Sequence, residues 1–198
     1  MPVILEMAQG SEEWYQARRE MPTASCFDKI VTPTGRPAKT NYMDGLLAEG
    51  LTGQSDSTFM SKWMKRGKEL EAEARTAYEF LTNQDVRCVG FVTRDDGMCG
   101  CSPDGLVGDD GGIEIKCPSP HIHVGYLRAN AVPGIYYPQI QGSMWVCERG
   151  WWDFLSYHPD MKPLIIRVER DEAYIEKLSA GVLAFAQELR IQKKLVRA

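Results

Sequence analysis

Residues 101–118 read CSPDGLVGDDGGIEIKCP. Asp109-Asp110-Gly111-Gly112 is a strong turn signal between two apolar runs, so the stretch is expected to fold as a β-hairpin. Side chains alternate along a strand. Ile113 and Ile115 are therefore expected to enter the core, with Glu114 and Lys116 emerging together on the opposite face. Asp104 lies on the partner strand, just past the Ser102-Pro103 pair that ends its regular pairing, and the hairpin can bring it opposite Glu114. Ordinary packing requires none of these three charges.

Two facing carboxylates repel unless something positive lies between them. A hard divalent ion such as Mg²⁺ fits, because it takes oxygen ligands and keeps several waters beside one or two carboxylates. Lys116 would then face the metal-bound water and a scissile phosphate, an arrangement suited to phosphodiester hydrolysis. An Asp followed at some distance by Glu-x-Lys also arises by chance in a chain this acidic. Here, however, Glu-x-Lys occurs once in the chain, on a strand with apolar alternation and a turn beside it.

Outward from the hairpin, residues 86–94 (VRCVGFVTR) and 98–107 (MCGCSPDGLV) read as two further strands, which with 111–117 make a meander. Residues 61–82 carry Leu70, Ala74, Ala77 and Leu81 at helical spacing, with Glu71 on the border of the apolar face. Residues 135–148 read as a helix, 151–157 and 164–170 as strands, and 171–196 as a closing amphipathic helix. This order predicts an α/β protein, a mixed sheet packed by helices.

With 198 residues, 43% hydrophobic and 25% charged, the chain is expected to form one domain with a substantial core. The start lacks a basic, apolar leader and no segment is apolar enough to span a membrane, so no membrane association and an intracellular, cytoplasmic setting are expected. Six cysteines without a Cys-x-x-Cys pair are expected to be reduced and mostly buried. None lies after Cys147, which removes the four-thiolate pattern of an iron–sulfur cluster. A net charge of -4 argues against a general basic coat for nucleic acid but not against a local basic groove. The loop-rich residues 31–41 (VTPTGRPAKTN) read as a solvated loop or a DNA contact. His121 and His123, after two prolines, are expected in a polar loop rather than on a metal. Trp145, Trp151 and Trp152 read as core at least as readily as base-stacking platforms.

Residues 101–118 resemble the PD-(D/E)xK nuclease signature. Five further words resemble the lambda exonuclease branch, the YqaJ-type viral recombinases: EWYQARREMPTAS (13–25), GKELEAEAR (67–75), PQIQGSMWV (138–146), YHPDMK (157–162) and VERDEAYI (168–175). The resemblance implies a restriction-endonuclease-like core, a mixed central β-sheet flanked by helices. It implies Asp104 and Glu114 as metal-binding carboxylates, the Ile115 carbonyl as a further ligand, Lys116 as the catalytic lysine and Glu71 as a holder of a second ion. It places Gln141 at the edge of the site and Arg18, Ser25 and Ser102 around a terminal 5′-phosphate. The resemblance implies Mg²⁺ dependence with two ions, Mn²⁺ substituting for them. Members of the family are 5′→3′ exonucleases on double-stranded DNA ends, forming homotrimeric rings that work with a single-strand annealing protein in phage or prophage recombination. This chain departs from lambda exonuclease in a shorter N-terminal lead and a different tail, LRIQKKLVRA (189–198), so subunit contacts there do not carry over. Two other readings share these residues: a structure-specific or restriction-type endonuclease, and a catalytically silent DNA-end-binding module, against which the intact Asp104, Glu114 and Lys116 argue.

Overall fold

The structure, a computed structural model, describes residues 1–53 and 62–197. Residue 61, where the first long helix was expected to begin, lies outside them. In chain order the strands are β1 (Val3–Leu5), β2 (Val86–Arg87), β3 (Phe91–Thr93), β4 (Gly100–Cys101), β5 (Gly105–Val107), β6 (Gly111–Lys116), β7 (Trp151–Ser156) and β8 (Leu164–Glu169). The α-helices are α1 (Glu12–Arg18), α2 (Tyr42–Thr52), α3 (Lys62–Thr82), α4 (Pro120–Ala129), α5 (Tyr137–Cys147) and α6 (Glu172–Arg197), with a 3₁₀ helix over Ala24–Lys29.

The expected hairpin forms, but its turn is Gly108-Asp109-Asp110, with Gly108 at a φ of 53°, and Gly111 and Gly112 already belong to β6. β5 and β6 pair antiparallel with Leu106 opposite Gly112. β6 also pairs with β7, but in parallel, Glu114 opposite Phe154. A parallel neighbour needs a long crossover, which α4 and α5 supply. The main sheet runs β2-β5-β6-β7-β8, and a smaller one runs β1-β3-β4. The mixed α/β architecture expected from the element order is therefore present, with β6 at its centre.

The expected simple meander is not. Residues 86–94 break into β2 and β3, which belong to different sheets, and 98–107 break into β4 and β5 in the same way. Gly90 sits at the first break, where a Cβ would come 2.3 Å from the Met7 carbonyl. The second break falls at Ser102-Pro103, where proline cannot donate to a ladder. Both expected strands thus pass from one sheet to the other. The strand at 3–5 and the helices at 42–52 and 120–129 had no counterpart in the sequence reading. His121 and His123 accordingly lie on α4, not in a polar loop, because Pro120 suits the first turn of a helix.

Alternation along β6 builds both layers. Ile113 and Ile115 pack with Val107, Leu155 and, from α3, Ala74 and Tyr78. On the other face, Leu106, Trp152 and Phe154 join Ile140 and Met144 of α5 and Leu178 and Val182 of α6. Glycine at 112 lets the Trp152 ring lie against the sheet, since a Cβ there would meet the ring at 2.3 Å. The apolar spacing of α3 overreaches at its end: Leu81, expected on the buried side, is 54% exposed.

α5 and the Ala24–Lys29 turn meet through Gly142, where a Cβ would stand 2.4 Å from the fully buried Phe27 ring. Gly142→Ala is expected to destabilise the protein by about 1–3 kcal/mol although alanine is the better helix former, because overpacking outweighs propensity. Denaturant unfolding measures this. A stabilised variant would mean that the helix and turn separate without cost.

Candidate active site

The β5–β6 ladder ends with Gly105 opposite Ile113, and Asp104 is the residue just before Gly105, at the end of the strand. Asp104 is fixed by the Ile115 amide, which donates to its Oδ2 at 2.6 Å. Glu114 lies on the face of β6 that α5 covers and is only 2% exposed. Its Oε1 accepts from the Lys116 ammonium at 2.5 Å and from the Gln139 amide of α5 at 2.7 Å. The side chains two apart on one strand thus emerge together, as alternation demands, but into a covered layer whose open edge is the end of the strand.

From the other layer, Glu71 of α3 reaches the same edge. It pairs with Arg75 at 2.9 Å, and the Arg75 Nε donates to the Asp104 carbonyl at 3.3 Å. Glu71, Arg75, Asp104, Ile115, Lys116 and Tyr136 line one cleft of about 790 Å³. The structure therefore brings together Glu71, Asp104, Glu114, Ile115 and Lys116.

The electrostatics are those of crowded like charges. Burial raises the Asp104 pKa well above the ordinary carboxyl range, and the charges of Glu114 and Glu71 push the same way, against Lys116 and the Ile115 amide. For Lys116, burial works against the ammonium, but Glu114 and Asp104 outweigh it and the pKa rises. Among the described residues no three acidic, cysteine or histidine side chains converge into a ready-made metal cage. A cation here would take Asp104, Glu114 and the Ile115 carbonyl and complete its shell with water, with Glu71 left for a second ion. That donor set, all oxygen and short of a full shell, fits a hard ion that keeps its waters. Such an ion would relieve the repulsion from Glu114 and Glu71 that adds to burial in raising Asp104.

Gln141 is not at this site. It is fully buried, its amide nitrogen donating to the Glu169 carbonyl and its oxygen accepting from the Asp171 amide, both at 2.9 Å, so it joins α5 to the turn between β8 and α6. Gln139 faces Glu114 instead. Two residues turn roughly 200° around a helix, so only one glutamine of Gln-Ile-Gln can face the strand end. Spacing along the helix does not choose between them; the position of α5 on β6 does. Gln139→Leu is expected to lower turnover about tenfold through loss of the hydrogen bond that holds a buried carboxylate. Gln141→Leu should instead act on stability. Turnover and melting measured on the pair will separate the two, and the reverse pattern would contradict this placement.

The residues expected around a terminal phosphate are partly gathered. Ser11 accepts from the Trp14 amide at 3.3 Å and caps α1, at whose end stands Arg18. The Arg18 guanidinium lies 4.1 Å from the Trp14 ring centre and 5.6 Å from that of Phe91, and donates to the Ser102 hydroxyl at 2.7 Å. The same hydroxyl accepts from the Trp14 indole at 3.0 Å, which leaves its own hydrogen free to donate. Among the described residues no carboxylate lies within ion-pair distance of Arg18. Burial lowers its pKa. Ser25 is exposed on the 3₁₀ helix, its hydroxyl 3.3 Å from that of Thr23. Thr23, Arg18, Lys29 and Tyr42 line a second cavity of about 400 Å³, and Trp14 lines both cavities. Ser25 itself touches neither Arg18 nor Ser102 in the described contacts.

The other candidates are used by the fold. His123 is fully buried, with one ring nitrogen 2.7 Å from the Ser156 hydroxyl and the other 3.0 Å from the Lys162 carbonyl, so neither is available to a metal. Trp152 and Trp145 are core, and Trp151 is covered by Arg167 at 3.6 Å. All six cysteines are free, four of them buried. Among the described residues no helix is long and apolar enough to cross a membrane.

The family model of the YqaJ-like viral recombinase domain matches residues 13–150. Among solved structures, an alkaline exonuclease (LHK-Exo) from Laribacter hongkongensis is similar at 36% identity and a TM-score of 0.85, over 94% of this chain and 96% of that one. LHK-Exo in complex with dAMP matches at 35% identity with the same TM-score and the same coverage of both chains. A phage-related exonuclease from Haemophilus somnus 129PT shares the fold at 16% identity and a TM-score of 0.66, over 89% of this chain and 95% of that one. No curated protein sequence matches the chain.

Proposed function

Because the chain belongs to the family of YqaJ-like viral recombinase domains, we propose that it is a Mg²⁺-dependent 5′→3′ exonuclease. Its substrate would be linear double-stranded DNA, of which it degrades one strand from a 5′-phosphorylated end. The observation that carries this reading is a cleft lined by Asp104 and Lys116, with Glu114 held on the Lys116 ammonium, which Trp14 joins to a cavity lined by Arg18, itself bonded to Ser102. The dAMP bound to LHK-Exo supports a nucleotide as the species this cleft accommodates.

A bound divalent ion supplies charge neutralisation at the scissile phosphate and a more acidic water. The chain's own residues do the rest. The Ile115 amide and the Gln139 side chain hold Asp104 and Glu114 in place. Arg75 fixes Glu71 at the rim, where it would hold a second ion. Lys116 keeps its ammonium charged, ready to orient the attacking water or stabilise the charge developing on the phosphate. Calcium, larger and less strict in geometry, should bind without supporting turnover, whereas Mn²⁺ should substitute.

Arg18 and Ser102 offer a guanidinium and a free hydroxyl hydrogen to a phosphate monoester, whose extra charge and oxygens suit that pair. Ser25 would join them at the outer edge. A 5′-phosphorylated duplex is expected to be degraded at least about tenfold faster than a 5′-hydroxyl duplex, and Arg18→Ala should lose most of that preference while keeping its metal requirement. Equal rates on the two ends with the native protein would mean that the pocket does not read phosphate.

The same reading includes a homotrimeric ring whose hole carries the basic residues, which would reconcile a net charge of -4 with a polyanionic substrate. A single-strand annealing protein would receive the exposed 3′ overhang, in the cytoplasm of a bacterial host. Light scattering that finds a monomer at working concentration would remove the ring. Covalently closed circular duplex is expected to stay intact, and its cleavage would turn the reading into an endonuclease.

A further inference from the structure

Lys116 has a second contact that the carboxylate chemistry leaves unused. Its ammonium lies 5.0 Å from the ring centre of Tyr136, a residue of the turn that leads into α5 and a lining residue of the cleft. The ring is fixed from behind. It stacks on Phe154 at 5.5 Å with an interplanar angle of 27°, and its hydroxyl meets that of Tyr126 at 3.5 Å. Phe154 is the β7 partner of Glu114 in the parallel ladder, so the aromatic stack is built on the same register as the catalytic strand.

We propose that Tyr136 is a positioning residue for Lys116, holding the ammonium at the cleft edge through its ring face; the proposal rests on the role assigned to Lys116 above. The Lys116 side chain is 27% exposed, and its other anchor is Glu114. If Glu114 gave an oxygen to a cation, the ammonium would lose its share of that carboxylate and be repelled by the new charge. The attraction of a ring quadrupole is not competed for in this way. Tyr136 therefore keeps Lys116 near the reacting phosphate in the state where the ion pair is weakest. The hydroxyl is dispensable to this role and the ring is not.

The test uses Y136L, Y136F, K116M and the double variant Y136L/K116M in the full chain. In EDTA, unfolding of the four-member cycle formed with the native protein should be non-additive by about three- to tenfold in the equilibrium constant, because Tyr136 and Lys116 attract each other. On linear duplex, Y136L should lose about tenfold in kcat with KM little changed, and Y136F should recover most of it, since only the ring is needed. An additive cycle overturns the proposal, and so does a coupled cycle in which Y136L keeps native kcat. If instead K116M still cuts at the native rate, it is the catalytic reading of Lys116 that fails. That result is distinct from an additive cycle beside an inactive K116M.

Discussion

Asp104→Asn protein should melt at a higher temperature than the native protein in EDTA at neutral pH, and should cleave no DNA. The Asp104 carboxyl holds its proton to a higher pH in the folded protein than in the unfolded chain, because burial and the neighbouring Glu114 oppose its charge. Between the unfolded value of about 4 and the raised folded value, the native state binds more protons, so stability falls as pH rises through that window. Asparagine removes the penalty. Its oxygen can still accept from the Ile115 amide, and its nitrogen can donate toward Glu114. The melting temperature is expected to rise by about 3 °C or more, the size of a ~1 kcal/mol gain in a domain of this length, and to lose its decline toward alkaline pH. Added Mg²⁺ should stabilise the native protein and not the variant, because only the native site binds it. A variant that melts lower, or that keeps the same pH dependence, would mean that Asp104 is comfortable as an anion without metal.

Lys116→Ala is expected to reduce single-turnover cleavage by about 10³-fold while leaving duplex affinity within about threefold, since the ammonium acts chiefly in the transition state. The metal-free variant should also be less stable. Glu114 is 2% exposed, and without its ion pair its charge is left with the Gln139 amide alone. Divalent ions should then bind more tightly than to the native protein, because the competing cation is gone. Turnover within tenfold of native would make the lysine structural, and weaker Mn²⁺ binding by titration calorimetry would show that Lys116 does not compete for the carboxylate.

The hairpin was legible because it is local. The turn, the alternation of Ile113 and Ile115 with Glu114 and Lys116, and the step to Asp104 all lie within residues 101–118. What surrounds the hairpin was not. The passage of residues 86–94 and 98–107 between two sheets depends on Gly90 meeting the Met7 backbone and on Pro103 ending a ladder, contacts with residues far away in sequence. α4 was hidden by its two flanking prolines, one of which is its first residue. The exchange of Gln141 for Gln139 has the same origin: the spacing is identical to the reader until α5 is docked on β6. Arg18 and Ser102, 84 residues apart in sequence, meet in the fold, whereas Ser25 stands off from both.

The most direct measurement is a time course on linear duplex with a phosphorylated, labelled 5′ end, beside covalently closed circular duplex, in Mg²⁺ and in EDTA. The account predicts that 5′-mononucleotide is released progressively from the labelled end in Mg²⁺, that EDTA stops it, and that the circle remains closed. Hydrolysis that persists in EDTA, or a linear product from the circle, would contradict it.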